Sequence, residues 1–196
     1  SSSICDECPI GWKGVDGDCE ICDAGRYQKD EGQATCFPCL PGTHQTSNGS
    51  KLCDKCDNGT ASSQPGLTTA CPFCPTGTAQ EGEGNTACSA CLAGTFEEMN
   101  DNDEKICTDC GAGKYTDSSD ATECTECKLG EYQKETGKTT CLPCLPGKHG
   151  RADKTTRSDC DDCKVGTYSV EVGLTTPCAS SPAGTIVLGG GTTSVE

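Results

Sequence analysis

Large apolar residues are sparse along this chain and recur singly inside a polar repeat. The repeat is a pair of cysteines two residues apart, a glycine three positions later, usually an aromatic ring two positions beyond, and then a short polar loop. The stretch from Cys124 to Cys163 shows this arrangement clearly. Each repeat has room for a few residues of extended chain and a turn, so the pattern predicts short β-hairpins and little helix.

A tight turn is expected just after each cysteine pair. Ten pairs follow one another at steps of 14 to 19 residues, and glycine always lies three residues after the second cysteine. A position restricted to glycine usually needs a positive φ or a close approach of another backbone. These glycines are Gly11, Gly25, Gly42, Gly59, Gly77, Gly94, Gly113, Gly130, Gly147 and Gly166.

A ring lies five residues after the second cysteine in most repeats. We interpret these rings as packing on the neighbouring disulfide and glycine turn. Histidine takes this position twice, so the two histidines resemble aromatic substitutes and not catalytic bases. Since no nucleophile–base arrangement is visible either, we do not expect an enzyme. The positions are Tyr27, His44, Phe96, Tyr115, Tyr132, His149 and Tyr168.

The last repeat indicates how the cysteines pair. In Cys178-Ala-Ser-Ser181 a serine replaces the second cysteine, yet Gly184 follows in register. The surviving first cysteine suggests that it closes a loop opened by the second cysteine of the preceding pair. This pairing leaves Cys5 unpaired or bonded to another chain. It gives loops 1 to 10, in chain order Cys8–Cys19, Cys22–Cys36, Cys39–Cys53, Cys56–Cys71, Cys74–Cys88, Cys91–Cys107, Cys110–Cys124, Cys127–Cys141, Cys144–Cys160 and Cys163–Cys178.

A rival pairing would join first with first and second with second cysteines in four-cysteine modules, with a period of two repeats. The sequence instead shows a superperiod of three loops, 52 to 54 residues, which favours the single loop as the unit. Loops 4 and 10, for example, both carry Gly-Leu-Thr-Thr before the closing cysteine. The predicted division is a short leading repeat at 1–21, super-repeats at 22–73, 74–126 and 127–181, and a short strand with a flexible tail at 182–196.

Composition indicates that cross-links hold this chain together. It has 21 cysteines in 196 residues but only three Phe, four Tyr, one Trp and one Met. Each bridge would contribute about 3 kcal/mol in the chain-entropy model, so bridges are expected to dominate over burial. With contacts mainly between neighbouring loops, the predicted fold is small and disulfide-rich, an elongated rod of disulfide-closed loops.

Disulfides form in oxidising compartments, so the chain is predicted to be extracellular or on the cell surface. No apolar run approaches the roughly 18–20 residues of a membrane span. The net charge of −15 argues against nucleic acid and anionic membrane surfaces as partners.

Three other kinds of site were considered. Two Cys-x-x-Cys pairs also suit a four-thiolate zinc site, but these pairs run on without grouping in fours. The acid-rich stretch 97–104 offers oxygen ligands to calcium but lacks a spaced loop with its glycine, so we expect a solvated loop and no cofactor. The sequons Asn48-Gly-Ser50 and Asn58-Gly-Thr60 predict glycans on Asn48 and Asn58 in a secreted protein.

The run Cys-x-x-Cys-x-x-Gly-x-Tyr, with a Gly/Thr-rich loop closing on the next pair, resembles the ephrin-receptor-like cysteine-rich repeat. That repeat is a relative of the growth-factor-receptor and TNF-receptor modules. The pattern is also similar to protist cysteine-rich surface antigens of ciliates and diplomonads. The best match is Cys110 to Cys144, and the likeness extends from residue 5 to about 184. The resemblance implies an extracellular, disulfide-bonded, elongated and non-enzymatic protein.

From these features we expect a structural protein of a coat, stalk, matrix or fibre that assembles end to end with its own copies. The unmatched Cys5, the truncated unit Cys178–Ser181 and a predicted strand at Ile186–Leu188 favour such assembly. One alternative is a receptor or adhesion ectodomain that binds a protein ligand, which would need a compact apolar patch. A lesser alternative is a thiolate metal-binding protein.

Overall fold

The computed structural model describes residues 8–151 and 156–184. Within them there is no helix, and nine two-stranded hairpins follow one another along the chain. The predicted small disulfide-rich fold with short hairpins is therefore confirmed. The hairpins are β1 (Trp12–Val15) with β2 (Asp18–Ile21), β3 (Arg26–Tyr27) with β4 (Phe37–Pro38), β5 (Thr43–His44) with β6 (Asp54–Lys55), β7 (Thr78–Ala79) with β8 (Ser89–Ala90), β9 (Thr95–Met99) with β10 (Lys105–Asp109), β11 (Lys114–Tyr115) with β12 (Thr125–Glu126), β13 (Glu131–Tyr132) with β14 (Leu142–Pro143), β15 (Lys148–His149) with β16 (Asp161–Asp162), and β17 (Thr167–Tyr168) with β18 (Ala179–Ser180).

Each hairpin begins at the residue after the turn glycine, which lies at a constant distance from the preceding cysteine pair. In loop 2, Arg26 N donates to Asp23 O at 3.1 Å across a four-residue turn. Gly25 is the third residue of that turn and has φ +78°, as a type II turn requires. The two residues after the glycine then pair with the two residues between the next cysteines, as Tyr27 does with Phe37. In loop 4 an isolated β-bridge between Thr60 and Phe73 takes the place of the hairpin.

Ten disulfides join the second cysteine of each pair to the first cysteine of the next, the same ten pairings that the Ser181 position predicts. They close loops with sequence separations of 11 to 16 residues. The second cysteines are at most 2% exposed, so sulfur fills the place that large apolar side chains take in other cores. Cys5 and the predicted strand Ile186–Leu188 lie outside the described residues.

The chain divides into two compact units. The first is Ser1–Ala90 with Met99–Ile106, and the second is Cys91–Glu98 with Cys107–Glu196. Loops 1 to 5 belong to the first unit, and so does the tip of the β9–β10 hairpin. The division by sequence superperiod stays a prediction, and the boundary between the units falls inside the second super-repeat, 74–126.

Candidate functional site: the contact between successive loops

Successive loops within each unit are joined through the backbone of one residue, the sixth after each second cysteine, which we call the ladder residue. In loop 3 this is Gln45, whose carbonyl accepts from Gly25 N of loop 2 at 2.7 Å. Its own N donates to Leu67 O of loop 4 at 3.1 Å. One residue therefore bonds to the loop before and to the loop after. The ladder residues of loops 1 to 10 are Gly14, Gln28, Gln45, Ser62, Gln80, Glu97, Thr116, Gln133, Gly150 and Ser169.

Contacts also reach the second loop along the chain, in addition to the expected contacts between neighbouring loops. A Cβ built on Gly25 of loop 2 would lie 2.3 Å from Gly66 O of loop 4. The same distance separates a Cβ on Gly130 of loop 8 from Gly173 O of loop 10. Only the absence of a side chain on each turn glycine lets these backbones meet, so the repeated glycine serves close approach as well as the turn.

Three ladder residues are buried glutamines whose side chains brace their own loops. Gln28 is 0% exposed, Gln45 8% and Gln133 6%. In each, Nε2 donates to the carbonyl seven residues later at 2.6 to 3.0 Å, and Oε1 accepts from the N two residues later at 3.0 Å. Both ends of the carboxamide are satisfied, as a buried polar group requires. This role was not predicted from the sequence, although Gln at a constant distance from the cysteines was a readable signal.

The rings lie beside the hairpins and bridges. The ring centroids of Tyr27 and Phe37 are 6.1 Å apart across the loop 2 hairpin. The Nδ1 of half-buried His44 lies 3.7 Å from Cys71 Sγ, in the bridge of the next loop. His149, in contrast, has its Nδ1 2.9 Å from Gly150 O. The contact with a neighbouring disulfide thus holds for His44, whereas Tyr27 contacts Phe37 of its own hairpin and His149 bonds to the backbone.

Loop 9 carries two ion pairs at the surface of a concavity of about 460 Å³. Lys148 Nζ lies 2.5 Å from Asp162 Oδ1, and Arg151 Nε lies 2.7 Å from Asp161 Oδ1 without hydrogen-bond geometry. The hydrogen bond to Asp162 raises the pKa of Lys148. These pairs connect residues of one hairpin and its flank, so the charges in this concavity are largely compensated.

The two sequons lie in different surroundings. Asn48 is exposed, and its Oδ1 accepts from Ala24 N at 2.8 Å. Asn58 is half-buried, and its Nδ2 donates to Glu104 Oε1 at 2.9 Å. Two hydrogen bonds lower the pKa of Glu104, and the bond from Asn100 has a larger effect than the bond from Asn58. Among the described residues, which include all of 97–104, no three His, Cys, Asp or Glu side chains come together to hold a metal ion.

Ser181 keeps the backbone role of the cysteine that it replaces. Its N donates to Gly166 O at 3.0 Å, as Cys163 N donates to Gly147 O at 2.9 Å in the preceding repeat. Its hydroxyl also donates to Gly166 O at 3.2 Å. The turn geometry of the repeat therefore persists where no further bridge begins.

Comparison with protein families finds two matching stretches, residues 12–56 and 118–160. Both match the family described as tyrosine-protein kinase ephrin type A/B receptor-like. No curated protein matches the chain. Over the residues that the structure describes, no helix is long and apolar enough to cross a membrane.

Proposed function

This chain contains ephrin-receptor-like cysteine-rich repeats with ten disulfides, and we propose that it is an extracellular structural protein of a coat, stalk, matrix or fibre. The disulfides themselves indicate an oxidising environment outside the cell. The proposed structural role goes beyond this location. It is supported by the contacts that the repeated side chains and backbone groups make.

The observation that carries the proposal is the backbone ladder. Ladder residues bond to a loop on each side, as Gln45 and Gln133 do, and turn glycines contact the second loop along. The most regular positions of the sequence are thus used to hold one loop against another. Such a chain keeps its spacing without a large apolar core, which is the requirement of a coat or spacer.

End-to-end assembly with further copies is supported by the surface of loop 10. Within the described residues, a Cβ built on its turn glycine, Gly166, would have no heavy atom within 4 Å. In contrast, backbone atoms lie within 3 Å of a Cβ built on seven turn glycines of earlier loops, Gly11, Gly25, Gly42, Gly59, Gly94, Gly113 and Gly130. Loop 10 also exposes three valines, Val165 at 78%, Val170 at 63% and Val172 at 60%. An open ladder position beside exposed apolar side chains suits contact with another loop.

The test is sedimentation of the oxidised protein over a wide concentration range. We expect the average mass to rise with concentration, and the double variant Val170→Asp with Val172→Asp to stay monomeric. Leu92→Asp is the matched control, because Leu92 is 73% exposed but lies in loop 6. A protein that is monomeric throughout, or a control that loses assembly equally, contradicts assembly through loop 10.

A receptor or adhesion ectodomain is the second candidate. It is favoured by two matching segments, Cys-Phe-Pro-Cys-Leu-Pro and Cys-Leu-Pro-Cys-Leu-Pro, in which Phe37, Leu40, Leu142 and Leu145 are 48 to 66% exposed. Saturable binding of a soluble protein that is lost in Leu40→Asp would favour this candidate. A thiolate metal store would require cysteines as thiolates, whereas the bridges hold the twenty cysteines of loops 1 to 10 as disulfides.

A further inference from the structure

The two sequons share the sequence Asn-Gly followed by a hydroxyl residue, yet among the described residues only Asn58 donates its carboxamide nitrogen to a protein atom. Asn48 is exposed and uses Oδ1 alone, so in the described part of the chain its Nδ2 donates to no protein atom. In Asn58 the Nδ2 is engaged with Glu104, and the Oδ1 is shielded from solvent without a hydrogen-bond partner among the described residues.

Glu104 holds two segments of the first unit together. Its Oε1 accepts from Asn58 Nδ2 of loop 4 at 2.9 Å, and its Oε2 accepts from Asn100 Nδ2 at 2.8 Å. Asn100 and Glu104 both lie in the tip of the β9–β10 hairpin, Met99–Ile106. Because bonds to an ionised carboxylate are stronger than neutral ones, this carboxylate ties the Asn58 carboxamide firmly to the tip.

The backbone beside Asn58 packs closely against the hairpin tip. A Cβ built on Gly59 would lie 2.6 Å from Lys105 N, closer than real Cβ contacts. Thr60 of the same sequon is 7% exposed and donates to Asp57 O at 2.7 Å. The corresponding Ser50 is half-exposed, with a longer bond of 3.2 Å to Ser47 O. A sugar on Asn58 would therefore have to separate loop 4 from the hairpin tip.

We propose that the folded, secreted protein carries an N-linked oligosaccharide on Asn48 and none on Asn58, whose carboxamide instead holds loop 4 to the hairpin tip. The co-reactant is an oligosaccharide linked to a lipid diphosphate. The Nδ2 of Asn48 forms a bond to the anomeric carbon while the bond from that carbon to the phosphate oxygen breaks. The lipid diphosphate leaves with the bonding electron pair, and Nδ2 gives one proton to a base of the transferring enzyme.

A chain that is modified on Asn58 before folding loses the Glu104 contact and is absent from the fully bridged, secreted molecules. The inference requires passage through an oxidising secretory route. It does not depend on the coat or fibre role, so a failure of assembly in sedimentation leaves it standing.

The direct test maps the glycans on wild-type protein secreted by eukaryotic cells. Molecules with all ten bridges are isolated without reductant and treated with peptide N-glycosidase in heavy-oxygen water, which converts each glycosylated Asn to a labelled Asp. Because Asn-Gly also takes up heavy oxygen by spontaneous deamidation, label is counted above a sample kept in the same water without the enzyme, and we expect it at position 48 and not at position 58. Label at position 58 in the bridged protein, or no label at position 48, overturns the proposal.

Three variants distinguish protection of Asn58 by the fold from a sequon that is a poor substrate in itself. In Glu104→Ala the Nδ2 of Asn58 loses its partner, and we expect label to appear at position 58 while occupancy at Asn48 stays constant. If occupancy at Asn58 does not change, Glu104 does not protect it. Asn48→Gln should abolish the glycan mass, whereas Asn58→Gln should leave it intact.

A matched pair made without glycans tests the holding role of Asn58. In Asn58→Asp the new carboxylate faces Glu104, so at neutral pH its Tm should fall well below that of Asn48→Asp, in which an acceptor oxygen for Ala24 N remains. The gap should narrow on acidification, when the facing carboxylates take up a proton. Equal Tm values at neutral pH would show that Asn58 does not hold the hairpin tip.

Discussion

Loops 3 and 9 begin with almost the same sequence but have different ladder residues. The segments 36–42 and 141–147 differ only in Phe against Leu, and each continues into a hairpin of two-residue strands. The ladder residue is Gln45 in loop 3 and Gly150 in loop 9. Both nevertheless donate their backbone N to the next loop, to Leu67 O at 3.1 Å and to Leu174 O at 2.8 Å.

What differs between the two loops is how side chains brace them. In loop 3 the buried Gln45 carboxamide binds Leu52 O and Ser47 N. In loop 9 the glycine has no carboxamide, and ion pairs join Lys148 to Asp162 and Arg151 to Asp161. The comparison indicates that the bridge and the backbone ladder are the common frame, whereas the brace inside a loop is replaceable.

Removing the bridge should have the largest effect, and the effect should be similar in both loops. We expect Cys39→Ser with Cys53→Ser, and Cys144→Ser with Cys160→Ser, each to lower the free energy of unfolding by about 3 kcal/mol. The two bridges span similar separations of 14 and 16 residues. Denaturant unfolding measures the loss, after peptide mapping has shown that the other bridges are intact. A much smaller loss in one loop would mean that its brace can replace its bridge.

Adding a methyl group at the ladder position should destabilise loop 9, although loop 3 accepts a whole glutamine there. A Cβ on Gly150 would lie 2.4 Å from Gly130 N and 2.9 Å from Gly130 Cα. We expect Gly150→Ala to cost about 1–3 kcal/mol in the free energy of unfolding, as overpacking does. Gly111→Ala is the control, since nothing lies within 4 Å of a Cβ there, and it should be nearly neutral. Equal unfolding curves for the two variants would show that loop 9 has room for the loop 3 brace.

Truncating the brace of loop 3 should have a somewhat smaller effect. In Gln45→Ala, Leu52 O and Ser47 N lose their partner, which should cost about 1–2 kcal/mol. Gln80→Ala provides the control, because the side chain of half-buried Gln80 makes two long bonds of 3.4 Å, donating to Glu81 O and accepting from Ser89 Oγ. Thermal unfolding of both variants measures the difference. A loss in the control as large as in Gln45→Ala would assign the effect to the loss of glutamine as such.

The ion pairs of loop 9 should contribute least. Lys148→Met should cost less than about 1 kcal/mol, and the difference should shrink in high salt because the pair is partly exposed. Since Asp162 raises the pKa of Lys148, the contribution is complete below the ordinary value of 10.5 and is lost as the pH rises through the raised value.

Hydrogen exchange in loop 9, with loop 3 as internal reference, measures the stability that Lys148→Met loses and how this loss depends on salt and pH. Lys164→Met is the control, because exposed Lys164 lines the same concavity. A cost for Lys148→Met that is unchanged by salt would show that lost packing, and not charge, is responsible.

The turns and the pairing of cysteines were accessible from the sequence because both depend on local spacing. Glycine three residues after each second cysteine predicts the type II turn, and every one of these ten glycines has a positive φ. The bridges in the structure are those expected from Ser181. This single residue indicates which cysteine of a pair bonds to the preceding pair.

The buried carboxamides were not accessible in the same way. Gln28 and Gln133 stand in polar stretches and would ordinarily be assigned to the surface. Their burial depends on carbonyl and amide groups of their own loop and on cover by other loops. The different environments of Asn48 and Asn58 likewise depend on Glu104, 46 residues beyond Asn58.

By itself, the sequence determined the local units of this protein: bridged loops, glycine turns and short hairpins, because each results from spacings of a few residues. The tertiary structure decided which loops meet and which polar groups become buried. Contacts such as Gly25 with Gly66, or Asn58 with Glu104, join residues of alternate loops. They arise only when loops are placed against each other, since the same polar side chain is solvated alone and enclosed beside a neighbour.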